Sequence, residues 1–531
     1  MVRVTTADGR WQGFCDRIRG FLEADVTEQD IDGVRVRGYR SPDNPALWIR
    51  DHSDIVRGGK YFHADLTSSV DCFAANQAAN GRIFDYVLTS PLAHSNEREN
   101  WEKWIRIPVE ADVEYRFVKA AHQAWQATGD TEWLRRLLPS LERAVDYLVS
   151  SPIRWDETHG LVKRAYTIDT WDFDYTAGRE PWLNFQITPD TFWGIFHGDN
   201  SGLYEAASTV AAMHALAGDA ESAGRLRELA DGVRLRANAL LFNGRFYTHF
   251  HKLSPVTIEG VNESEQLSLS NPMAINRGLA TDEIARAVIA EYRRRRETGA
   301  SFAEWYIIDP PFPDGTFGDE KLVAGAYVNG GIFPLCGGEL ARAALNHGAE
   351  SYGIEILDQY ASMIESSGAA YLWYFPDGTP SSPETSTSPD ATPTDGWGSS
   401  AMLYGLVEGL AGVVDRHCCF SQVELTPRWL FAGEQEADVE ISYAASGARF
   451  GYRYRHDESR RRILLEVSGD ARSVTIRLPL PHGTTLERTT WNGTESPVRV
   501  RAPAGADRTP HYLEIAPVKP GTGVLEIAYR G

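Results

Sequence analysis

Three stretches of the sequence set carboxylates next to aromatic rings. They are Trp48-Ile-Arg-Asp-His-Ser-Asp54, Tyr166-Thr-Ile-Asp-Thr-Trp-Asp-Phe-Asp-Tyr175 and the longer segment 371–400. An aromatic face covers the apolar face of a ring-shaped ligand, while carboxylates and guanidinium groups hydrogen-bond its hydroxyls. Aromatic residues make up 11% of the chain and many of them lie in polar loops, so the pattern favours a sugar as the ligand.

In the first stretch, an indole, a guanidinium and two carboxylates lie within a short segment at the start of an expected helix. Trp48 could form an apolar platform, Arg50 could donate in bidentate geometry, and Asp51 could accept from two adjacent hydroxyls. The alternative is structural, because Asp51 or Asp54 would also serve as the N-cap of that helix.

The second stretch alternates Asp169, Asp172 and Asp174 with aromatic residues. A carboxyl group surrounded by indole and phenyl rings is desolvated, so its pKa rises. A raised pKa suits a general acid that protonates a leaving glycosidic oxygen near neutral pH. The alternatives are an edge strand or a calcium-binding loop.

The third stretch contains one glutamate, Glu384, in a polar loop beside an aromatic cluster. A second carboxylate at this place could activate a water molecule. The non-catalytic alternative is a solvent-exposed carboxylate on a lid loop. Three aspartates compete for the same role: Asp377, Asp390 and Asp395.

Two weaker patterns remain. Gly330 and Gly331, which follow Asn329, could bring the backbone close to a ligand. His249 and His251 are two residues apart and would share a face of a strand, as metal ligands or acid–base groups, although a structural role is the more common one.

The elements that must position these residues are mostly helices. Apolar residues recur at helical spacing in 110–149 and again in 202–241, and each segment is broken by a Gly-Asp turn. Repeated helical hairpins of this kind predict an array of ten to twelve helices that closes into a ring, with long loops at one end. The other expected helices are 11–24, 53–77, 281–297, 332–347, 351–367 and 399–413.

After Asp415 the pattern changes to short strands. Alternating or apolar runs at 439–443, 450–454, 463–467, 474–478 and 524–529 are separated by turn residues. They predict a small β-sandwich that braces the helical part. The expected division is a catalytic domain at 1–415 and a β-sandwich domain at 416–531.

Composition excludes several classes of protein. A formal charge of -20 repels nucleic acid and anionic membranes, and no apolar run is long enough to cross a bilayer. The five cysteines are scattered and odd in number, which with the absence of an amino-terminal apolar segment favours the cytoplasm. No cofactor motif and no metal-ligand spacing occurs, so neither a cofactor nor a metal is expected.

Taken together, these patterns resemble the (α/α)6-barrel glycoside hydrolases with a C-terminal β-sandwich. That group includes trehalases and processing α-glucosidases and, more distantly, glucoamylases and α-rhamnosidases. Trp48–Asp51 looks like their sugar clamp, and Thr170–Phe173 resembles the Gly-Trp-Asp-Phe stretch of trehalases. Tyr327–Pro334 and Asp395–Ala401 are similar to segments that precede the late barrel helices, and Val423–Trp429 resembles the entry into the sandwich.

The resemblance implies an exo-acting, inverting glycosidase that acts on a small carbohydrate. Asp172 takes the position of the general acid, and Glu384 is the only glutamate that fits the position of the general base, although its aromatic context differs from the family's. Arg50 and Asp51 would bind hydroxyls of the cleaved sugar, and Asn329 would lie among the binding residues. The pocket wall would consist of Trp48, Trp171, Trp373 and Trp397.

Three other functions stay open from the sequence. A sugar epimerase on a similar barrel would use His249 and His251 for proton transfer. Phosphorolysis would need a phosphate site where Glu384 lies, and the acidic loop argues against it. A non-catalytic sugar-binding protein would use the same aromatic surfaces without turnover.

Overall fold

A computed structural model describes most of the chain. The described residues are 1–40, 46–87, 101–102, 105–106, 110–168, 187, 189–317, 320–385, 392–501, 512–518 and 521–531, with the backbone alone at 101–102, 105–106, 501 and 516–517.

Twelve α-helices occur in the described part of the chain. They are α1 Arg10–Ala24, α2 Ile49–Gly59, α3 Ser68–Ala75, α4 Val113–Thr128, α5 Thr131–Ser150, α6 His197–Ala217, α7 Ala220–Leu241, α8 Ser270–Asn276, α9 Asp282–Thr298, α10 Pro334–Asn346, α11 Glu350–Ser367 and α12 Gly396–Tyr404. A π-helical turn at Gly405–Leu410 extends α12.

Six of these helices contact one another in a closed ring. Helix α2 contacts α4, α4 contacts α6, and the sequence of contacts continues through α8, α10 and α12 back to α2. The other helices pack outside this ring: α5 against α4 and α6, α7 against α6, α11 against α10, and α1 against α12. The number of helices in the described part of the chain agrees with the expected ten to twelve, and six of them form the closed cycle of contacts.

The turns of the two clearest hairpins follow from local sequence. Gly129 ends α4 with a φ of 69°, in the left-handed region that glycine adopts without steric cost. The Asp130 carboxylate then accepts from the Trp133 amide and caps α5. Gly218 and Asp219 repeat the arrangement between α6 and α7, and both predicted hairpins are confirmed.

One helix prediction needs correction, and one helix was missed. The segment 53–77 forms α2 and α3, and α2 starts at Ile49. The break between them is a turn at 60–67, which the apolar pattern did not reveal. Helix α8 was not predicted, because its seven residues include Pro272 and are too short to show helical periodicity.

The strands that form the two large sheets are β1 Val2–Thr6, β15 Val413–Asp415, β16 Gln422–Leu425, β17 Glu436–Ser442, β18 Arg449–Asp457, β19 Arg462–Gly469, β20 Ser473–Pro479, β21 Thr485–Trp491, β22 Thr494–Glu495, β23 Val498–Arg501, β24 Tyr512–Val518 and β25 Gly523–Arg530. The short strands elsewhere are β2 Val26–Ile31, β3 Val34–Tyr39, β4 Leu47–Trp48, β5 Tyr86–Val87, β6 Trp101–Glu102, β7 Ile105–Arg106, β8 Trp155–Asp156, β9 Leu161–Val162, β10 Arg164–Ala165, β11 Trp193–Phe196, β12 Phe250–Lys252, β13 Leu267–Ser268 and β14 Ile308–Asp309.

One sheet has the order β1-β17-β18-β19-β25-β21-β22, and the other β15-β16-β20-β24-β23. Each of the five strands predicted from alternation is present. The domain division at residue 415 stays a prediction. Two strands from the amino-terminal side of this boundary, 2–6 and 413–415, pair with strands of these sheets.

Buried polar side chains join the sheets to the helices. The Trp429 indole donates to the Tyr452 hydroxyl, which donates to the Ala411 carbonyl beyond the end of α12, each over 2.7 Å. The Tyr512 hydroxyl donates to Glu350 in the first turn of α11. Within the described ranges, no helix has the length and apolar character needed to cross a bilayer.

Candidate functional site

The amino-terminal end of α2 carries a buried cluster of one guanidinium and three carboxylates. Arg50 donates through Nε and Nη2 to the two carboxylate oxygens of Asp112, over 2.8 and 2.9 Å. Nη2 also donates to Glu110 and lies 3.6 Å from Asp85. We name these four residues the Arg50 cluster, and its three carboxylates are fully buried.

Electrostatics keeps the Arg50–Asp112 pair ionised. Burial by itself would raise the pKa of Asp112, but the Arg50 guanidinium holds that pKa well below its usual range. Burial opposes the charge of Arg50 as well, and the three carboxylates reverse the effect and raise its pKa. Arg50 and Asp112 are therefore a charged pair in a buried, low-dielectric environment, where hydrogen bonds to charged groups are strong.

Trp48 and Asp51 flank Arg50. The Trp48 ring packs on Tyr86 with centroids 4.1 Å apart, and Trp48 stays partly exposed, as a platform for a ligand requires. Asp51 is buried in the first helical turn. The capping alternative is wrong for both aspartates, because the N-cap position is Trp48; Asp54 instead pairs with Arg116 and Lys119.

The starts of the other ring helices lie at the same end. At α6, Asp199 is 3.4 Å from Arg164, and the Asn200 side chain bonds both backbone groups of Val162. The segments before α8, α10 and α12 are joined by backbone hydrogen bonds, from Leu269 to Ile307, from Ile307 to Gly331, and from Asp395 to Ala370. These bonds join the segments before α8 and α10 through Ile307, and the segment before α12 to the residues that follow α11.

The two tryptophans of the third stretch are buried within the fold. Trp373 is fully buried, with its ring centroid 6.0 Å from Tyr327 and 4.8 Å from Phe375. Trp397 is buried in the first turn of α12. Tyr327 has a φ of 42°, a left-handed conformation that is uncommon for a residue with a side chain and often marks a functional loop.

Glu384 lies on the exposed surface of the third stretch. A hydrogen bond from Ser382 lowers the pKa of its carboxyl, so it is ionised at neutral pH. Asp377 is also exposed and accepts from the Thr379 amide. Asp395 differs from both, since burial raises its pKa to about 6 while it caps α12 through the Trp397 and Gly398 amides. Asp390 is outside the described residues.

The second stretch is described only in part. Tyr166 is buried and stacks on Phe250 with centroids 4.0 Å apart. Asp172 and Trp171, the predicted acid and its neighbour, lie outside the described residues, as do Asp169 and Asp174.

Asn329 organises its own loop. Its side chain accepts from the Phe312 amide and donates to the Phe312 and Leu322 carbonyls. These bonds use both ends of the carboxamide and leave little for a sugar. Gly331 is also explained without a ligand, because a Cβ there would lie 2.5 Å from the Tyr327 carbonyl oxygen.

The two histidines have different surroundings. His249 is buried against the rings of Phe196 and Phe312, with centroids 5.1 and 5.9 Å away. His251 is partly exposed and packs on His159, with centroids 5.1 Å apart. Among the described residues, the surroundings of His249 are thus apolar rings, whereas His251 packs on another imidazole.

Sequence reasoning missed the carboxylates of the Arg50 cluster. Glu110 and Asp112 lie directly before α4, where acidic residues are common for capping and dipole reasons alone. The available signal was the repetition of acidic residues at the start of a ring helix, at Asp51 in the first turn of α2 and at 110–112 directly before α4. In the part of the chain that the structure describes, no group of three or more His, Cys, Asp or Glu side chains could hold a metal ion.

Comparison with known proteins gives similarity in structure alone. No family model and no curated protein matches the sequence. The α-L-rhamnosidase from Dictyoglumus thermophilum matches 99% of this chain and 50% of its own, with a TM-score of 0.60 and 11% identity. The family 78 rhamnosidase of Bacillus sp. GL1 matches 90% of this chain and 43% of its own, with a TM-score of 0.58 and 15% identity.

A shorter protein is similar over nearly its whole length. The family 63 mannosylglycerate hydrolase from Thermus thermophilus matches 74% of this chain and 99% of its own, with a TM-score of 0.50 and 15% identity. The chain spans about half the length, or less, of the rhamnosidases. The fold of this chain is therefore similar to that of the rhamnosidases over nearly its whole length, and to that of the family 63 hydrolase over 74% of it.

Proposed function

We propose that the protein is a glycoside hydrolase whose ring of helices is an (α/α)6 barrel. The observation that carries this proposal is the Arg50 cluster at the open end of a fold shared with sugar-cleaving enzymes. The ligand would be a small carbohydrate, bound in a pocket that the long loops close and attacked from one end of its chain.

The geometry of Arg50 supports a role in binding. Two of its guanidinium nitrogens are fixed by Glu110 and Asp112. Among the described residues, Nη1 has no hydrogen-bond partner, and it is not a buried atom. A guanidinium held in this way presents its remaining donors to a ligand at little further entropic cost. Trp48 beside it offers a partly exposed aromatic face for the sugar ring.

The proposed mechanism is inverting hydrolysis. Asp172 would protonate the leaving oxygen, and Glu384 would take a proton from the water that attacks the opposite face. A base must be ionised before it accepts a proton, and the exposed Glu384 carboxylate meets that requirement at neutral pH. The two carboxyl groups of such an enzyme are about 6.5–9.5 Å apart, which leaves room for the water.

Acid–base hydrolysis by two carboxyl groups calls for no cofactor and no metal. The five cysteines are free in the structure, which supports a reducing compartment such as the cytoplasm. The acidic chain would have no nucleic acid or anionic membrane as a partner.

The test is a panel of aryl glycosides, including an α-L-rhamnoside and an α-mannoside, with NMR detection of the first anomer released. We expect hydrolysis with inversion, and a fall in kcat of about 100- to 10 000-fold in both Asp172→Asn and Glu384→Gln. Glu365→Gln is the matched control, since Glu365 is an exposed carboxylate on α11 outside the site.

Three outcomes would contradict the proposal. Release of the retained anomer would exclude inversion, and near-wild-type turnover in either variant would exclude that residue as acid or base. Saturable sugar binding without product would identify a binding protein. Loss of activity in His249→Ala, with Asp172→Asn unaffected, would point instead to an epimerase.

A further inference from the structure

The adjacent pair Cys418-Cys419 lies far from the Arg50 cluster, in the turn between β15 and β16. Both cysteines are partly exposed, whereas Cys15, Cys72 and Cys336 are buried. The Cys419 amide donates to the Gln126 carbonyl in the last turns of α4, at the opposite end of that helix from Asp112. The pair is therefore separate from the proposed sugar site.

The turn holds the two thiols in a defined arrangement. The Asp415 carboxylate accepts from the amides of His417 and Phe420, over 3.0 and 2.8 Å. Cys419 and Phe420 have φ values of 53° and 54°, so two consecutive residues with side chains adopt the left-handed conformation. Such strain persists only where surrounding contacts enforce it.

Both sulfur atoms face the same point of the α4–α5 turn. A Cβ placed on Gly129 would lie 2.6 Å from the sulfur of Cys419 and 3.9 Å from that of Cys418. Glycine thus leaves the space in which the two thiols converge. His417 is the third member of the group, with Nδ1 3.2 Å from the Cys418 sulfur.

The two thiols are not equivalent. A hydrogen bond from Cys418 lowers the pKa of the Cys419 thiol below its usual range, while the same bond raises that of Cys418. Cys419 is thus the better nucleophile, and His417 is placed to take the proton of Cys418.

A cavity of about 490 Å³ opens beside His417, lined also by Trp125, Arg227 and Arg416. Arg227 at its wall, together with Arg416, which also pairs with Glu424 over 2.6 Å, favours a ligand that carries a carboxylate. The cavity borders the pair through His417 and is therefore suited to the carboxylate-bearing part of a small disulfide.

We propose that Cys418 and Cys419 form a reversible dithiol–disulfide site that reacts with disulfides of small acidic thiols. The Cys419 thiolate attacks one sulfur of the disulfide, the sulfur–sulfur bond breaks, and one thiolate leaves. Cys418 then loses its proton to His417, attacks the Cys419 sulfur and expels the second thiolate. Two protein thiols are oxidised, the small disulfide is reduced to two thiols, and the released protons go to those products.

The product would be easily reduced. Adjacent α-carbons are about 3.8 Å apart across a trans peptide, and disulfides usually join α-carbons about 4.4–6.8 Å apart. The bond within the eight-membered ring is therefore strained, so a mild thiol reductant is enough to reverse its formation.

The experiment incubates the folded full-length protein with glutathione disulfide and maps its cysteines by mass spectrometry. We expect an internal disulfide at Cys418-Cys419 that dithiothreitol removes, while Cys15, Cys72 and Cys336 stay reduced. Cys418→Ser should trap glutathione on Cys419, because the resolving thiol is missing. Cys419→Ser should react with glutathione disulfide at about one tenth of the wild-type rate or more slowly, because the attacking thiol is missing.

Three results would overturn the proposal. One is modification of the three buried cysteines at the rate of the pair. Another is an unchanged rate of reaction with glutathione disulfide in Cys419→Ser. The last is a Cys418→Ser protein that carries no glutathione although circular dichroism shows a native fold. None of them bears on the glycosidase assay, because the pair lies outside that site.

Discussion

Replacement of Arg50 by alanine tests whether the ion pairs of the Arg50 cluster stabilise the folded protein. The Arg50 side chain is 9% exposed and the carboxylates of Asp85, Glu110 and Asp112 are 0% exposed. Removing the guanidinium leaves three buried carboxylates without their shared partner. Breaking a buried ion pair by removing one member costs about 3–5 kcal/mol, so we expect the free energy of unfolding at pH 7 to fall by that amount.

The effect should depend on pH in a defined direction. In the wild type the pKa of Asp112 is lowered on folding, so its contribution to stability is present above the unfolded pKa, near 4, and is lost as pH falls through the folded value. Without Arg50, the pKa of Asp112 should rise, because Arg116, 3.3 Å away, offsets only part of the burial, and protonation then relieves the remaining charge. The difference between variant and wild type should therefore be largest at pH 7 and should shrink towards pH 4.

The assay is urea unfolding followed by circular dichroism at pH 7 and pH 4.5. Arg3→Ala is the matched control, because Arg3 pairs with Glu440 across exposed strands, with the two side chains 58% and 43% exposed. An exposed pair contributes about 0–1 kcal/mol. A loss below about 1 kcal/mol in Arg50→Ala, or a difference that widens on acidification, would refute the reasoning.

Three further predictions concern stability. Burial raises the pKa of Asp395 to about 6, so the free energy of unfolding should fall as pH rises from about 4 to 6. Asp395→Asn keeps the cap of α12 and should remove roughly 3 kcal/mol of that fall. Urea unfolding across this pH range measures the difference. Gly338→Ala would place its Cβ 2.3 Å from the backbone of α12 and should lower stability by about 1–3 kcal/mol, whereas Gly20→Ala, in open space on α1, should raise the melting temperature. Tyr512→Phe removes the bond to buried Glu350 and should cost about 1–3 kcal/mol in the same urea assay; an unchanged midpoint would show that this bond contributes nothing.

Local features of the fold were predictable because their causes are local. The Gly-Asp turns of 129–130 and 218–219 fixed two hairpins, since a left-handed glycine and a capping carboxylate act within a few residues. Alternation of apolar residues identified five strands of the carboxyl-terminal sheets. Local pattern failed for α8, whose contacts with α6 and α10 stabilise a segment too short for periodicity.

The candidate site was also predictable only in its local part. The sequence placed Trp48, Arg50 and Asp51 together, because neighbours in the chain share one helix start. It could not supply Glu110 and Asp112, which lie about 60 residues further on and meet Arg50 only because the ring brings α2 and α4 side by side. Nor could it show that Asn329 bonds within its own loop.

Sequence by itself thus determined which residue types and which local elements this protein contains. The tertiary structure decided which charges share a buried space, because a pair's electrostatic energy depends on distance and burial, and neither is a property of spacing along the chain.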